Sequence, residues 1–259
     1  MKKYGIIPSR FGSSRFPGKP LAMLAGKPLV AWVVEAVKKA KSLDEVFVAT
    51  DDERIVAAVE QYGGVAVMTP SELPSGTDRI ACAARNRFGG DFGDDDILVN
   101  IQGDEPLIDP KLVDELVAKL TNSDVEMATA VTPIRTTEDL AAKTVVKVVL
   151  DHDDRALYFS RAAIPCDRDH AAFGEGQSPD SRELYVRHLG IYAYRGGFLK
   201  CYIAEPPCAL EKTEKLEQLR ALWMGAKIAV VRTADEGIGV DTPEDAKRVE
   251  KILSSRLDA

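Results

Sequence analysis

Three basic side chains stand close together near the start of the chain, in a loop of glycines, serines and prolines. Arg10, Arg15 and Lys19 lie within residues 8–20, whose sequence is PSRFGSSRFPGKP. A short apolar run before this loop predicts a buried first strand, and an amphipathic helix is predicted to begin near Pro28. Glycine lets the backbone approach an anion, free N–H groups bind the anion and cations neutralise it. The loop therefore predicts a polyphosphate site, with a solvated basic loop as the alternative.

Two common phosphate-binding motifs do not fit this loop. A P-loop requires the pattern G-x-x-x-x-G-K-[ST], in which the hydroxyl residue binds magnesium. One extra residue separates Gly12 from Gly18, and Pro20 stands where the hydroxyl residue would be. The G-x-G-x-x-G spacing of dinucleotide-binding folds is missing as well, which disfavours an NAD-dependent oxidoreductase. The loop thus indicates a nucleotide site of another design.

Two carboxylates are candidates for holding magnesium beside that polyphosphate. Asp104 follows the predicted strand at 97–101, and ligands of open α/β sheets bind at the carboxyl ends of strands. An anion beside a polyphosphate requires a cation between them, and magnesium is bound by one or two carboxylates plus phosphate oxygens. Asp241 is the second candidate, provided that the fold returns it to the same edge. The alternatives are a turn aspartate for Asp104 and a helix N-cap for Asp241.

The composition excludes several classes of partner. The chain has 259 residues and a net charge of −7, which argues against a nucleic-acid surface. No apolar run approaches the roughly 20 residues that span a bilayer. The apolar stretch after Met1-Lys2-Lys3 ends at Pro8, too soon for a signal peptide. We therefore expect a cytoplasmic protein with no membrane partner, whose four cysteines are reduced structural thiols.

Strand and helix patterns alternate over residues 45–120. Strands at 45–49, 65–68 and 96–101 are separated by helices at 52–61 and about 77–87, and a helix at 110–120 follows. Strands joined by single helices through short connections predict βαβ units and a parallel sheet covered on both faces. The loop at 8–20 and residues 102–106 would then lie at the carboxyl ends of strands, where a ligand binds.

After residue 125 the pattern becomes β-rich. Segments 127–134, 145–150 and 156–159 have no long helix between them, which predicts an antiparallel excursion from the main sheet. The polar stretch 167–182 predicts a long loop of the kind that forms lids. A strand at 189–194, a helical region at 209–224, a strand at 228–231 and a helix from Pro243 follow. We predict one domain, residues 1–259, with a β-rich arm at about 125–195.

Segments spread in order over nearly the whole chain resemble the 3-deoxy-manno-octulosonate (Kdo) cytidylyltransferase family. The first loop and QGDEP at 102–106 are common among nucleotidyltransferases, whereas SRA at 160–162, RHLGIY at 187–192 and LEQLR at 216–220 are more specific. The other matching segments are VATD at 48–51, SGTDR at 75–79, VKVVLD at 146–151, ALYFSR at 156–161 and GVDTPED at 239–245.

The resemblance implies a three-layer α/β/α nucleotidyltransferase fold with a mostly parallel sheet and a β-rich dimerisation arm. It implies a homodimeric, Mg²⁺-dependent enzyme that converts CTP and Kdo, a 2-keto-3-deoxy sugar acid, into CMP-Kdo and pyrophosphate for lipopolysaccharide biosynthesis. The residues implied at CTP are Pro8, Arg10, Ser14, Arg15, Lys19, Ser75, Gly76, Arg79 and Gln102. Those implied around the sugar are Gln102, Arg161, His188, Tyr192, Glu217 and Gln218. Lys19, Asp104 and Asp241 would be catalytic, with the metal on the two aspartates.

Four of the residues implied around the sugar also have an ordinary alternative. Arg161 could be a surface ion-pair partner and His188 a hydrogen-bonded core histidine, while Glu217 and Gln218 could form a solvated helix face.

The chain departs from the family pattern at Pro74 and at Cys166, and residues 170–183 align with no motif. The exact sugar therefore stays open, with 8-amino-3,8-dideoxy-octulosonate as the alternative acceptor. A non-catalytic nucleotide-binding protein on the same fold is the alternative from another class.

Overall fold

The computed structural model describes residues 1–12, 16–168 and 184–257. Strands and helices alternate through the first half, as predicted. The elements are β1 (Lys3–Ser9), a 3-10 helix (Lys19–Leu21), the short pair β2 (Met23–Leu24) and β3 (Lys27–Pro28), α1 (Leu29–Val37), β4 (Glu45–Thr50), α2 (Glu53–Gln61), β5 (Ala66–Met68), α3 (Gly76–Phe88), β6 (Ile97–Asn100) and α4 (Pro110–Thr121). The side chains of Asp52, Ser75 and Asp109 accept backbone N–H groups at the starts of α2, α3 and α4, which explains where these helices begin.

The second half contains more strand. It has β7 (Met127–Pro133), α5 (Thr137–Ala141), β8 (Lys147–Leu150), β9 (Ala156–Ser160), β10 (Val186–Arg195), α6 (Gly196–Ala204), α7 (Ala209–Glu214), α8 (Gln218–Trp223), β11 (Ile228–Arg232) and α9 (Pro243–Leu257). The helical region predicted at 209–224 is two short helices, because Lys215 between them has a left-handed backbone with a φ of 56°. Residues 169–183, which include most of the predicted lid loop and all of the segment that aligns with no motif, lie outside the described residues.

The central sheet is mostly parallel. Its order is β11-β7-β10-β6-β1-β4-β5, with β8 attached to β10 and β9 attached to β8. Parallel pairs join β1 to β4 and β6, β4 to β5, and β7 to β11. β10 lies antiparallel between β6 and β7. With helices on both faces, this is the predicted three-layer α/β/α fold, and the fold class is confirmed.

The β-rich part of the chain differs from the predicted excursion. β7 and β10 belong to the main sheet, and the pair β8–β9, which we call the arm, is what extends from it. β8 pairs with the first two residues of β10. Periodicity indicates that a segment is a strand but does not say which strand it pairs with. The position of β10 inside the sheet could not be read from its pattern for that reason.

The core occupies both faces of the sheet because successive strand residues point to opposite sides. In β1, Ile6 packs in the cluster that contains Ile80 of α3, whereas Ile7 packs in the cluster that contains Val33 of α1 and Leu112 of α4. All four Ile and Val side chains are fully buried. This two-sided burial explains why the first strand is a continuous apolar run.

The C-terminal segment returns to the edge formed by the carboxyl ends of β1 and β6. The Val240 N–H donates to the Asp104 carbonyl oxygen at 2.8 Å, just before Asp241. Residues that are far apart in the sequence therefore meet at this edge. Among the described helices, none combines the length and the apolar composition needed to cross a membrane.

Candidate active site

Lys19 lies between two carboxylates from separate segments. Its Nζ is 2.6 Å from Oδ2 of Asp104 and 3.2 Å from Oδ1 of Asp241. Gly18, with a left-handed φ of 70°, turns the chain into the 3-10 helix that begins at Lys19. The condition set for Asp241, that the fold return it to the edge carrying Asp104, is therefore met.

A cavity of about 360 Å³, which we call the first cavity, opens beside this cluster. The loop after β1, the start of α3 and the segment after β6 line it. Of the residues implied at CTP, those in its lining are Pro8, Arg10, Lys19, Ser75, Gly76, Arg79 and Gln102. Ser14 and Arg15 lie outside the described residues. The cavity thus combines cationic side chains with a helix N-terminus, and both features bind phosphate groups.

Arg79 supports the wall of the first cavity and is not a free cation. Its Nη1 donates to Thr69 Oγ1 at 2.6 Å and to the Pro70 carbonyl oxygen at 3.2 Å. Its Nη2 donates to Asp51 Oδ2 at 3.2 Å, and the side chain is only 3% exposed. These bonds tie α3 to the loop after β5, which continues into Pro74 of the cavity wall. Arg79 therefore shapes the cavity with a charge that Asp51 already neutralises.

Gly103 lets the loop after β6 lie against the loop after β1. A Cβ atom here would be 2.6 Å from the backbone oxygen of Pro8, which cannot rotate away. Gly103→Ala is therefore expected to lower the free energy of unfolding by about 1–3 kcal/mol and to reduce turnover by displacing Asp104. Thermal unfolding and steady-state kinetics measure these effects. Gly90→Ala is the control, since a Cβ there has nothing within 4 Å, and an equal Tm for both variants would contradict the prediction.

The second cavity, of about 580 Å³, adjoins the first at Gln102, which lines both. The other residues implied around the sugar acid all line it: Arg161, His188, Tyr192, Glu217 and Gln218. Gln102 Nε2 donates to the Gly190 carbonyl oxygen at 2.6 Å, which fixes the shared side chain against β10. Two ligands, one in each cavity, would therefore meet at Gln102.

Backbone carbonyl oxygens hold the Arg161 guanidinium at the second cavity. Nε donates to Glu214 at 2.8 Å, Nη1 to Lys143 at 2.9 Å and Nη2 to Lys215 at 3.4 Å. The fully buried Lys147 ammonium donates to the carbonyl oxygen of Arg161 itself, at 2.6 Å. Three of the five guanidinium N–H groups are thereby used, and two are left for a ligand. These contacts favour a rigid cavity wall over the surface ion pair considered above.

His188 is a neutral side chain whose tautomer follows from its hydrogen bonds. The Thr129 hydroxyl donates to the Ile191 carbonyl oxygen at 2.7 Å, so it accepts from His188 Nε2, 2.9 Å away. The proton therefore lies on Nε2, and Nδ1 carries the lone pair. Burial lowers the pKa of His188 to about 3. His188 thus offers the second cavity an uncharged hydrogen-bonding group.

The depressed pKa of His188 predicts a loss of stability as the solution becomes acidic. The folded pKa of about 3 lies below the ordinary histidine value of 6.5, so the unfolded chain binds more protons between these limits. The contribution of His188 to the free energy of unfolding is complete above pH 6.5. It declines as the pH falls toward 3, by at most about 1.4 kcal/mol per pH unit. His188→Gln is therefore expected to lose less Tm than the wild type between about pH 7 and pH 5.5. An equal loss of Tm in both proteins would contradict the assignment of this acid sensitivity to His188.

Glu217 and Gln218 point into the protein. Gln218 is buried, and its Oε1 accepts from the Tyr192 hydroxyl at 3.2 Å. Burial raises the pKa of Glu217, whose Oε2 accepts from Thr77 Oγ1 at 3.1 Å. The alternative of a solvated helix face is therefore wrong for this pair.

Sequence reasoning overlooked three charged residues of the second cavity, Glu105, Arg187 and Lys215. Burial and the charges of Asp104 and Asp235 raise the pKa of Glu105 to about 8, against the opposing charge of Arg187. The Arg187 guanidinium also donates to the carbonyl oxygen of Glu236. Glu105 and Arg187 lie inside motifs quoted above, so a signal for them was available, whereas Lys215 lies just outside the motif at 216–220. The motif does not tell, however, which of its side chains turn toward the cavity.

Two groups of side chains are candidates for binding a metal ion. Asp104 and Asp241 lie at the first cavity. Asp151, His152 and Asp153 form a separate cluster at the turn between β8 and β9 and line neither cavity. Only the first pair is placed where a metal could meet a ligand of these two cavities.

Known proteins are similar to this chain over almost its full length. A family model described as cytidylyltransferase matches residues 4–228. A 3-deoxy-manno-octulosonate cytidylyltransferase of Bdellovibrio bacteriovorus is 49% identical over 257 residues, covering 99% of each chain. Another, of Aliivibrio fischeri, is 48% identical over 250 residues, covering 96% of this chain and 98% of that protein.

A solved structure shows the same similarity in three dimensions. It is that of CMP:2-keto-3-deoxy-manno-octonic acid synthetase complexed with CTP, with a TM-score of 0.88 and 37% identity. The match covers 99% of this chain and 100% of that one. Because the family model spans most of the chain and the relatives span nearly all of it, this chain belongs to the cytidylyltransferase family, and within that family to the 3-deoxy-manno-octulosonate cytidylyltransferases.

Proposed function

We propose that this protein transfers CMP from CTP to the anomeric hydroxyl of Kdo, giving CMP-Kdo and pyrophosphate for lipopolysaccharide biosynthesis. The observation that carries the proposal is the meeting of Lys19, Asp104 and Asp241 at one cavity, with a second cavity adjoining it at Gln102. Two substrates that react with each other need adjoining sites of this kind. The names of the relatives, and the CTP in the similar solved structure, support the identity of the two ligands.

The charges of the second cavity suit a sugar acid. Its lining carries three cationic side chains, Arg161, Arg187 and Lys215, beside Glu105 and Glu217. Since burial raises the pKa of Glu105 to about 8, this glutamate is mostly protonated near neutral pH and adds little negative charge to the cavity. A guanidinium with free N–H groups is well matched to the carboxylate of the sugar acid.

The reaction forms one bond and breaks another at the α-phosphorus of CTP. The anomeric oxygen of the sugar attacks phosphorus, the bond to pyrophosphate breaks, and the hydroxyl proton is released. Such a transfer depends on positioning and on stabilising charge. We assign Lys19 to the charge that develops at the α-phosphate and Arg10 to the triphosphate. Gln102, which lines both cavities, is assigned to orienting the sugar against the nucleotide.

Magnesium is the cofactor that we propose, held by Asp104 and Asp241. Both carboxylates reach one cation, the Lys19 ammonium, from separate segments, so the pair can converge on a single positive centre. Carboxylate oxygens are ligands that magnesium prefers. When bound, the ion would neutralise charge on the phosphate oxygens.

We also propose a homodimer to which the arm contributes. Among the described strands β9 pairs only with β8, and Leu157 on β9 is 58% exposed. Trp223, at the end of α8, is 62% exposed, and α8 packs against β9. Exposed apolar side chains beside an open strand edge are typical of an interaction surface. Sedimentation velocity tests the assembly directly.

A pyrophosphate-release assay tests the proposed reaction. Each nucleoside triphosphate is combined with Kdo, with 8-amino-3,8-dideoxy-octulosonate and with other 2-keto sugar acids, in the presence and absence of magnesium. We expect release with CTP, Kdo and magnesium together. Faster turnover of the amino sugar would identify that acceptor instead. No release from any combination would overturn the proposal in favour of a nucleotide-binding protein.

A further inference from the structure

A buried hydrogen-bonded chain runs between the walls of the two cavities. Its centre is Thr77, in the first turn of α3, which is fully buried and lines neither cavity. Thr77 Oγ1 is 3.1 Å from Glu217 Oε2, and Asn100 Nδ2 is 3.4 Å from the same Oγ1. Glu217 belongs to the second cavity, whereas Ser75 and Gly76, directly before Thr77, belong to the first.

The direction of these bonds follows from their chemistry. An ionised carboxylate only accepts hydrogen bonds, and the Asn100 Nδ2 group only donates them. The single proton of the Thr77 hydroxyl therefore goes to Glu217, while its lone pair accepts from Asn100. Burial raises the pKa of Glu217, and the bond from Thr77 opposes that rise. The hydroxyl thus both orients the carboxylate and favours its charged form.

Other groups around Glu217 do not duplicate this bond. The charged residues that influence its pKa are Arg220, Glu211 and Asp78, and burial, together with Glu217, raises the pKa of the Tyr192, Tyr194 and Tyr202 phenols. Arg220 Nη2 donates to Glu211 Oε1 at 3.2 Å, and Nη1 donates to the Glu205 carbonyl oxygen at 2.7 Å. Arg220, the cation that opposes the rise in the pKa of Glu217, is therefore already bound to other acceptors.

We infer that Thr77 is a positioning residue for the sugar acid: its hydroxyl holds the Glu217 carboxylate in the orientation in which it receives a sugar hydroxyl. This inference rests on the proposed function, because it gives Glu217 a ligand in the second cavity. Thr77 touches neither substrate. It connects the wall of the second cavity to α3, whose N-terminus lines the first cavity.

The kinetic test compares Thr77→Val with Thr77→Ser. Valine has nearly the shape of threonine but no hydroxyl, whereas serine keeps the hydroxyl. Thr77→Val is expected to raise the KM for Kdo about tenfold, since one hydrogen bond to a charged group is lost. The KM for CTP should stay within about twofold, and Thr77→Ser should restore the KM for Kdo to within about threefold of the wild type. Thr77→Ala removes the same hydroxyl, so the comparison holds with either variant.

A titration of Glu217 provides a readout that is independent of turnover. Glutamate labelled with ¹³C at the side-chain carboxyl, with Glu217→Gln to assign the signal, reports the pKa of Glu217. That pKa is expected to rise in Thr77→Val and to return in Thr77→Ser, because the donor that favours the ionised form is removed and restored.

The outcomes separate this inference from the proposed reaction. An unchanged Glu217 titration in Thr77→Val overturns the role of Thr77, and so does a KM for Kdo within twofold of the wild type. Equal rises in both KM values also overturn it, because they indicate general damage. A wild-type enzyme that releases no pyrophosphate with any sugar acid overturns the proposed function, and the titration alone then decides whether Thr77 orients Glu217.

Discussion

Lys19→Met is expected to lower kcat by at least about a hundredfold. The Lys19 Nζ lies between Asp104 and Asp241 at the first cavity, with its side chain only 15% exposed. Methionine keeps the unbranched apolar stem but carries no charge. The substitution therefore removes the stabilisation of charge at the α-phosphate while preserving most of the packing. Steady-state pyrophosphate release with CTP, Kdo and saturating magnesium measures the loss.

Lys27→Met is the matched control for this substitution. Lys27 follows in the same part of the chain, forms an ion pair with Glu35 at 2.6 Å and lines neither cavity. Its replacement should leave kcat within about twofold, because exposed ion pairs contribute little. If Lys19→Met kept turnover within about tenfold of the wild type, Lys19 would have no catalytic role of the kind assigned to it.

Lys19→Met is also expected to have an altered thermal stability. Without the ammonium, Asp104 and Asp241 lose the cation that they share, and like charges brought together repel. The Tm of Lys19→Met should therefore fall in the presence of a chelator and recover when magnesium is added, since a ligand of the folded state stabilises it. This recovery depends on the metal site and needs no substrate.

Asp104→Asn is the other substitution with a very large expected effect. It removes a charge from the Lys19 contact and from the proposed metal site at once. Asparagine keeps the size of the side chain, and the backbone bond from Val240 to Asp104 stays in place. We expect kcat to fall at least about a hundredfold and half-maximal activity to require more magnesium. A magnesium titration of the initial rate measures both effects.

Asp124→Asn is the control for the loss of a carboxylate. Asp124 pairs with Lys227 at 3.3 Å, is 75% exposed and lines neither cavity. This variant should behave as the wild type in the magnesium titration. An Asp104→Asn enzyme with wild-type magnesium dependence would remove Asp104 from the metal site, whatever its turnover.

The fold class and the place of the first cavity could be predicted from the amino-acid sequence alone. Burial on both faces of the sheet makes β1 a continuous apolar run, and N-caps such as Asp52 and Asp109 mark where helices begin. Both signals depend only on residues that are neighbours in the sequence, so they can be recognised without knowing which elements pack together. A loop that follows the first strand of such a sheet lies at its carboxyl edge, where ligands bind.

The hydrogen-bond partners of the residues predicted around the sugar could be known only from the three-dimensional structure. The bonds of Arg161 reach carbonyl oxygens of Lys143, Glu214 and Lys215, and the tautomer of His188 depends on Thr129. A motif names such residues, but their hydrogen-bond partners come from other elements. Thr77 illustrates the same limit, since its partner Glu217 is 140 residues away.

The decisive contacts of the first cavity also arise only in three dimensions. Lys19 is 85 residues from Asp104 and 222 from Asp241. Patterns of apolar and polar residues specify which side chains are buried, because burial follows local periodicity. Which loops meet depends on the order of strands in the sheet and on the path of the returning C-terminal segment. Only folding therefore brought the ammonium and the two carboxylates together.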